Sequence, residues 1–133
     1  MIQPMEADGV TARGNPTQIL DRSDADGPLV EAPSLVRSSE GTYVLFFSSN
    51  CYNGPYYDTS YATASHVMGP YTKSGAPLFV TGSGPNGELY SPGGTDVTAD
   101  GTKIVFHADQ GTSAATRQMY VGDITISGTT VTI

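Results

Sequence analysis

Cysteine, basic residues and long apolar segments are all scarce in this 133-residue sequence. Cys51 is the single cysteine, so the chain forms no internal disulfide, and cysteine usage leaves its redox compartment open. Six Lys and Arg residues against 13 Asp and Glu give a formal net charge of -7, and no basic stripe suited to nucleic acid is present. The apolar runs are too short to span a bilayer, and "MIQPMEADGV" does not read as a signal peptide. We therefore expect neither nucleic acid nor a membrane as partner.

Uninterrupted segments of Ala, Leu, Glu and Lys, which favour helices, are also missing. Instead, 16 Gly, nine Pro and eight Tyr residues favour short strands joined by tight turns, so we predict an all-β chain. Turn signals such as SEGT and ADGT separate the candidate strands. These strands are IQPMEA, TQIL, EAPSLVRS, TYVLFFSS, TSYATAS, APLFV, GTDVTA, TKIVFHA, RQMYVGDITI and TTVTI.

An internal repeat organises these strands. EGTYVLFF, residues 40–47, matches DGTKIVFH, residues 100–107, in residue type, and the strands around both copies follow the same order. Four-stranded units repeated in series are typical of the blades of a β-propeller, although a Greek-key sandwich is the alternative. We therefore predict one partial β-propeller domain over residues 1–133.

The predicted domain has three parts. Residues 1–22 supply the outer strands of a preceding, incomplete blade, while residues 29–82 and 88–133 each form a four-stranded blade. Such a fragment would expose unpaired sheet edges, which predicts a homo-oligomer.

One glutamate in the stretch DGPLVEAPSLV needs an explanation. Glu31 lies between an apolar pair and an Ala-Pro step, where the strand is expected to be buried. Burial disfavours the charged carboxylate, and a partly buried Glu31 would be held in its protonated form. The structural alternative is a solvated carboxylate or one paired with an arginine.

The longer segments carry a family resemblance. VEAPSLVRSSEGTYVLFFSSN, YDTSYATASHVMGPYTKSGAPLF, SPGGTDVTADGTKIVFHAD and RQMYVGDITI resemble the C-terminal part of the five-bladed propeller of family 43 glycoside hydrolases. That family includes β-xylosidases, α-L-arabinofuranosidases and arabinanases. The resemblance implies that this chain is only part of the fold, that it is extracellular, and that its carbohydrate is arabinose- or xylose-containing plant polysaccharide.

The resemblance also implies a role for Glu31. Family 43 enzymes invert the anomeric centre: a protonated carboxyl group donates to the departing oxygen while a second carboxylate activates water. The Val-Glu-Ala-Pro step matches the acid, so Glu31 is the predicted catalytic residue. The family's general-base Asp and its third, tuning Asp have no match here, so the chain alone should turn over slowly or not at all.

A His in a Gly-Pro-Gly-His step is common in the family, but this chain has Gly94 in SPGG at that position. We therefore expect no metal ligand set and no cofactor.

Propeller geometry predicts that two loops flank Glu31, SSNCYNGPYYDT at 48–59 and HADQGTSAATRQ at 107–118. Amide donors, aromatic faces and cations there are candidate carbohydrate contacts: Asn50, Tyr52, Asn53, Tyr57, His107 and Arg117. Each has a structural alternative. His107 could be a hydrogen-bonded core histidine, and Arg117 could form a surface ion pair with Asp109 or Asp123.

Two other functional classes stay open on the sequence. One is a truncated, non-catalytic module that binds carbohydrate weakly or serves assembly, and the other is a structural β-domain without a ligand. The source of a second carboxylate separates them from a hydrolase, because the inverting route requires two.

Overall fold

The structure is a computed structural model of the chain, and it describes residues 1–110 and 116–133. These residues form one short 3-10 turn, Asp24–Asp26, and nine strands, which confirms the all-β prediction. The strands are β1 (Val30–Arg37), β2 (Tyr43–Ser49), β3 (Asp58–Ala64), β4 (Thr72–Lys73), β5 (Leu89–Val97), β6 (Lys103–Gln110), β7 (Arg117–Asp123), β8 (Thr125–Ser127) and β9 (Thr130–Thr132). Within the described ranges, no helix has the length and apolar character needed to cross a membrane.

The first sheet is antiparallel, with strand order β1-β2-β3-β4. Its central strand β2 carries the apolar run predicted from the sequence, and Val44 and Phe46 are fully buried there. The β1–β2 connection uses Gly41 at a φ of 91°, a left-handed conformation that glycine adopts without a steric penalty. This sheet has four strands, as the repeat predicted, but its fourth strand is Thr72–Lys73 and not the predicted APLFV.

The second sheet has strand order β5-β6-β7, and β8 and β9 form a separate two-stranded sheet. The last predicted strand, TTVTI, therefore pairs locally with β8, and the described part of the chain adds no fourth strand to the β5–β7 sheet. The reason is the tight turn at Gly128, whose φ is 57° and which folds β9 straight back onto its neighbour.

Two other strand predictions are weaker in the structure than expected. Within residues 1–22, only two isolated antiparallel bridges form, Ile2 with Thr17 and Met5 with Ala12. In APLFV, Phe79 forms an isolated bridge with Thr59. The N-terminal segment is mostly exposed, so few packing contacts support longer strands there.

The two sheets share one apolar core. It combines β2 and β3 of the first sheet with β6 of the second, and ring centroids of Phe79 and Phe106 are 4.4 Å apart. Within this arrangement β5 lies against β1, β2 and β3. This contact places the SPGG segment of β5 beside the residues that precede β3. The candidate site lies where these two segments meet.

Candidate active site

Glu31 lies near the start of β1, opposite Ser48 of β2. The β1–β2 register shifts between Glu31 and Ser34, and Ala32 within this bulge has a φ of 50°. Such a bulge adds a residue to one strand and redirects the neighbouring side chains. The inner strand β5 has the same feature, with Ser91 at a φ of 50°, so the bulge belongs to the repeated unit and not to Glu31 alone.

The predicted burial of Glu31 is wrong, because its side chain is exposed. β1 is an edge strand of its sheet, and within the described residues no further strand pairs with its outer edge. The carboxylate is therefore open to solvent on one side and contacts protein on the other.

Tyr57 provides that protein contact. Its hydroxyl donates a hydrogen bond of 2.8 Å to Oε1 of Glu31, while the residue itself is 2 % exposed. Burial, together with the hydrogen bond and charge of Glu31, raises the pKa of Tyr57 to about 12. The predicted role of Tyr57 was an aromatic face for a sugar. In this structure its ring is buried, and its hydroxyl donates to the carboxylate of Glu31.

His107 stacks against Tyr57, with ring centroids 6.1 Å apart and planes inclined by 10°. Nη1 of Arg117 lies 3.2 Å from Nε2 of His107. A guanidinium can only donate, so Nε2 accepts and the ring is neutral with its proton on Nδ1. Burial and the neighbouring charge of Arg117 lower the pKa of His107, which favours the same neutral form.

Arg117 extends the group of side chains to Tyr52. Its Nη2 donates to the backbone oxygen of Tyr52 at 2.9 Å, and its guanidinium lies 5.1 Å from the centroid of the Tyr52 ring. A cation over an aromatic face is a favourable contact. The structure thus gives Arg117 neither of the ion pairs considered from sequence, and Asp123 pairs with Lys103 instead.

Sequence reasoning missed Ser48 and the function of the two glycines of SPGG. Ser48 is fully buried, and its Oγ accepts a 2.9 Å hydrogen bond from the backbone N–H of Gly94. A Cβ at Gly93 would lie 2.7 Å from Cζ of Tyr57, and one at Gly94 would lie 2.5 Å from Nε2 of His107. The only sequence signal was the paired glycine itself, and the absence of side chains there makes room for both rings.

We call this group of side chains the Glu31 cluster: Glu31, Ser48, Tyr52, Tyr57, His107 and Arg117. Asn50 lies outside it: its side-chain amide donates to Oγ of Ser49, and its backbone N–H donates to the backbone oxygens of Asp26 and Leu29. Asn53 is exposed in the loop that carries Tyr52. Of the second predicted loop, residues 107–110 belong to β6, and residues 111–115 lie outside the described residues.

A cavity of about 200 Å³ adjoins Glu31 and is otherwise lined by apolar residues, among them Ile19, Leu20 and Phe47. A larger cavity, about 600 Å³, shares no residue with the Glu31 cluster and is lined largely by hydroxyl-bearing residues, including Thr63 and Thr129. Of these two cavities, only the smaller one includes a member of the cluster, Glu31. Across the described part of the chain, no three His, Cys, Asp or Glu residues lie close enough to hold a metal ion.

Comparison with known proteins identifies a family for the chain. The sequence pattern of the glycosyl hydrolases family 43 matches residues 1–130. No curated protein matches the chain.

Solved structures extend the comparison. A thermostable family-43 glycoside hydrolase is 25% identical, with a TM-score of 0.78 over 98% of this chain and 45% of its own. An endo-1,4-beta-xylanase from Bacteroides thetaiotaomicron is 30% identical, with a TM-score of 0.69 over 84% of this chain and 40% of its own. A family 43 endo-arabinanase from Bacillus licheniformis is 20% identical, with a TM-score of 0.78 over 98% of this chain and 47% of its own. The chain therefore spans less than half the length of these structures, and it belongs to glycosyl hydrolase family 43.

Proposed function

We propose that this chain carries the acid half of an inverting family 43 glycosidase that acts on arabinose- or xylose-containing plant polysaccharide, with Glu31 as the general acid. The observation that supports the assignment most directly is the contact of Glu31. Its carboxyl group is open to a ligand on one side, while one of its oxygens is held by a buried tyrosine hydroxyl on the other. A general acid must be accessible to the substrate, and its carboxyl group must be held in a fixed orientation toward the leaving oxygen.

The chemistry follows from the two-carboxylate mechanism. Glu31 gives its proton to the glycosidic oxygen as the carbon–oxygen bond breaks, and the bonding electrons go to that oxygen. A water molecule attacks the anomeric carbon from the opposite face, and a second carboxylate accepts a proton from it. Within the proposal, that second carboxylate comes from residues outside this chain.

The remaining members of the cluster have binding roles in this proposal. Tyr52 is 59 % exposed and offers an open ring face, of the kind on which sugar rings stack. Arg117 adds N–H donors beside it, while His107 holds the guanidinium by accepting from its Nη1. In this proposal, the β1–β4 and β5–β7 sheets belong to consecutive propeller blades over residues 29–82 and 88–133. The extracellular location stays a prediction from the family.

Oligosaccharide binding at the cluster tests the proposal. We expect arabino- or xylo-oligosaccharides to shift the NMR signals of Tyr52, His107 and the Arg117 side chain, because these groups line the accessible side of the cluster. Cello-oligosaccharides at the same concentration serve as the control. A response confined to the hydroxyl-lined cavity around Thr63 and Thr129 would contradict the proposed site. Binding without any turnover under the assays described below would favour the non-catalytic carbohydrate-binding alternative.

We also propose that the chain self-associates through β7. This strand ends the β5–β7 sheet, and its side chains Met119 and Val121 are 77% and 68% exposed. Unpaired edges and exposed apolar side chains favour pairing with a second copy. Multi-angle light scattering at high protein concentration should therefore give a mass above 13.9 kDa. Replacing Val121 with Lys should shift the mass toward the monomer, whereas a compact monomer in the parent chain would contradict this proposal.

A further inference from the structure

The contact behind Glu31 supports an inference about how its carboxyl group is oriented. We propose that Tyr57 is a positioning residue for Glu31, held in place by the packing of its ring on His107 and Gly93 and by the buried Ser48 beside it. This inference rests on the proposed role of Glu31 as the general acid, but it concerns how the carboxyl group is oriented.

The direction of each hydrogen bond is fixed by the groups involved. The backbone N–H of Gly94 donates to Oγ of Ser48 at 2.9 Å, and this leaves the Ser48 hydroxyl proton free to donate. Ser48 lies beside Tyr57, because a Cβ at Gly93 would approach both Oγ of Ser48 and the Tyr57 ring, and the Ser48 hydroxyl lowers the pKa of Tyr57. The Tyr57 hydroxyl donates to Oε1 of Glu31 at 2.8 Å.

The ring of Tyr57 has little freedom to leave this arrangement. It is 2 % exposed, stacks on His107 and has the bare backbone of Gly93 against its edge. Ser48 is fully buried on the central strand β2. Both hydroxyls are therefore fixed by packing, so the position of the donor that Tyr57 offers to Glu31 is fixed as well.

The consequence for Glu31 is a choice between its two oxygens. Oε1 is occupied as an acceptor, so the proton of the acid form resides on Oε2, the oxygen that Tyr57 leaves free. Without the tyrosine hydroxyl, an exposed glutamate would sample several rotamers and could protonate on either oxygen. Tyr57 thus selects the oxygen that delivers the proton and holds the side chain in one rotamer.

The first test measures the order of the Glu31 side chain by NMR, with glutamate labelled by ¹³C in its side chain. In the parent chain, three-bond couplings should report a single rotamer, and Tyr57→Phe should change them to rotamer-averaged values. Tyr61→Phe is the matched control, because the Tyr61 hydroxyl accepts a hydrogen bond from Val131 and does not contact Glu31. Unchanged Glu31 couplings in Tyr57→Phe, or an equal change in Tyr61→Phe, would overturn the proposal.

A second variant keeps the proposal testable even if Tyr57→Phe does not fold. Ser48→Ala should also loosen Glu31, whereas Ser49→Ala should not. Ser49 has the same burial on the same strand, but its hydroxyl donates to Asp58 at 2.8 Å. Equal effects of the two serine variants on the Glu31 couplings would overturn the role of Ser48 in this proposal.

A third measurement follows ionisation of the Tyr57 hydroxyl by ¹³Cζ NMR at alkaline pH. Glu31→Gln should make Tyr57 ionise at lower pH, because the negative charge beside it is lost. Ser48→Ala should make it ionise at higher pH, because the Ser48 hydroxyl lowers the pKa of Tyr57. Shifts in the same direction would overturn the proposal. None of these readouts requires turnover, so a chain that gives all three expected results but shows no Glu31-dependent cleavage with azide would refute the proposed function and leave this inference intact.

Discussion

Replacing Glu31 with Gln is expected to slow azide-assisted cleavage of phenyl arabinofuranoside or xyloside by roughly 10²–10⁴-fold, the usual contribution of a general acid or base. Azide is a suitable nucleophile because it is already an anion and needs no base to remove a proton. It attacks the anomeric carbon as the bond to the phenol oxygen breaks, and Glu31 donates its proton to that oxygen. The products, a glycosyl azide and phenol, can both be measured by chromatography.

The leaving group supplies the control for this experiment. Dinitrophenolate is a stable anion and departs without a proton, so dinitrophenyl glycosides should be cleaved almost equally well by the parent chain and by Glu31→Gln. Glu6→Gln removes another exposed carboxylate, in the N-terminal segment, and should leave both rates unchanged. An equal loss on phenyl and dinitrophenyl substrates would show that Glu31 does not act as a proton donor.

With water as the only nucleophile, we expect a much lower rate. Without a base positioned to activate it, the chain should hydrolyse nitrophenyl arabinofuranoside and xyloside slowly or not at all. Turnover in the ordinary enzymatic range that Glu31→Gln abolishes would show that the chain contains its own general base.

Gly93→Ala should lower the free energy of unfolding by about 3 kcal/mol, at the upper end of what one added methyl group does in a packed interior. The new Cβ would lie 2.7 Å from Cζ of Tyr57 and 2.8 Å from Oγ of Ser48. Both neighbours are buried and hydrogen-bonded, Tyr57 to Glu31 and Ser48 to the Gly94 backbone, so neither can move without breaking a hydrogen bond. Urea denaturation should show a lower midpoint with an unchanged slope.

Gly75→Ala is the matched control for Gly93→Ala. Gly75 is exposed, has no positive φ, and a Cβ there would meet no atom within 4 Å. Its substitution should be neutral or slightly stabilising, because alanine restricts the unfolded chain more than glycine does. A Gly93→Ala chain as stable as Gly75→Ala would mean that the packing around Tyr57 is looser than the structure shows.

Family membership and most of the strands could be predicted from the sequence, because both depend on short-range patterns. The apolar run of β2 and its repeat in β6 predicted two buried strands, and Gly41 and Gly101, both at positive φ, mark the turns before them. The Val-Glu-Ala-Pro step identified Glu31 as the residue to examine. Such signals lie within a few residues of one another, so they can be recognised without knowledge of the tertiary structure.

Exposure of Glu31 could not be predicted in the same way. The flanking Val30 and Ala32 suggested burial, but whether an edge strand is covered depends on which other element packs against it. The pairing of TTVTI could not be predicted either, since whether this strand pairs with β8 or with a sheet edge depends on the tertiary structure.

Sequence alone therefore determined the strand-forming segments, the turns between them, the acidic charge and the family of this chain. Only the tertiary structure decided that Tyr57 meets a carboxylate 26 positions away, and that Arg117 reaches the backbone of Tyr52 across 65 positions. These contacts exist because β5 packs against β1, β2 and β3, and because two glycines leave room for the rings. Strand propensity acts over a few neighbouring residues, whereas the packing of one sheet on another fixes which distant side chains share a site.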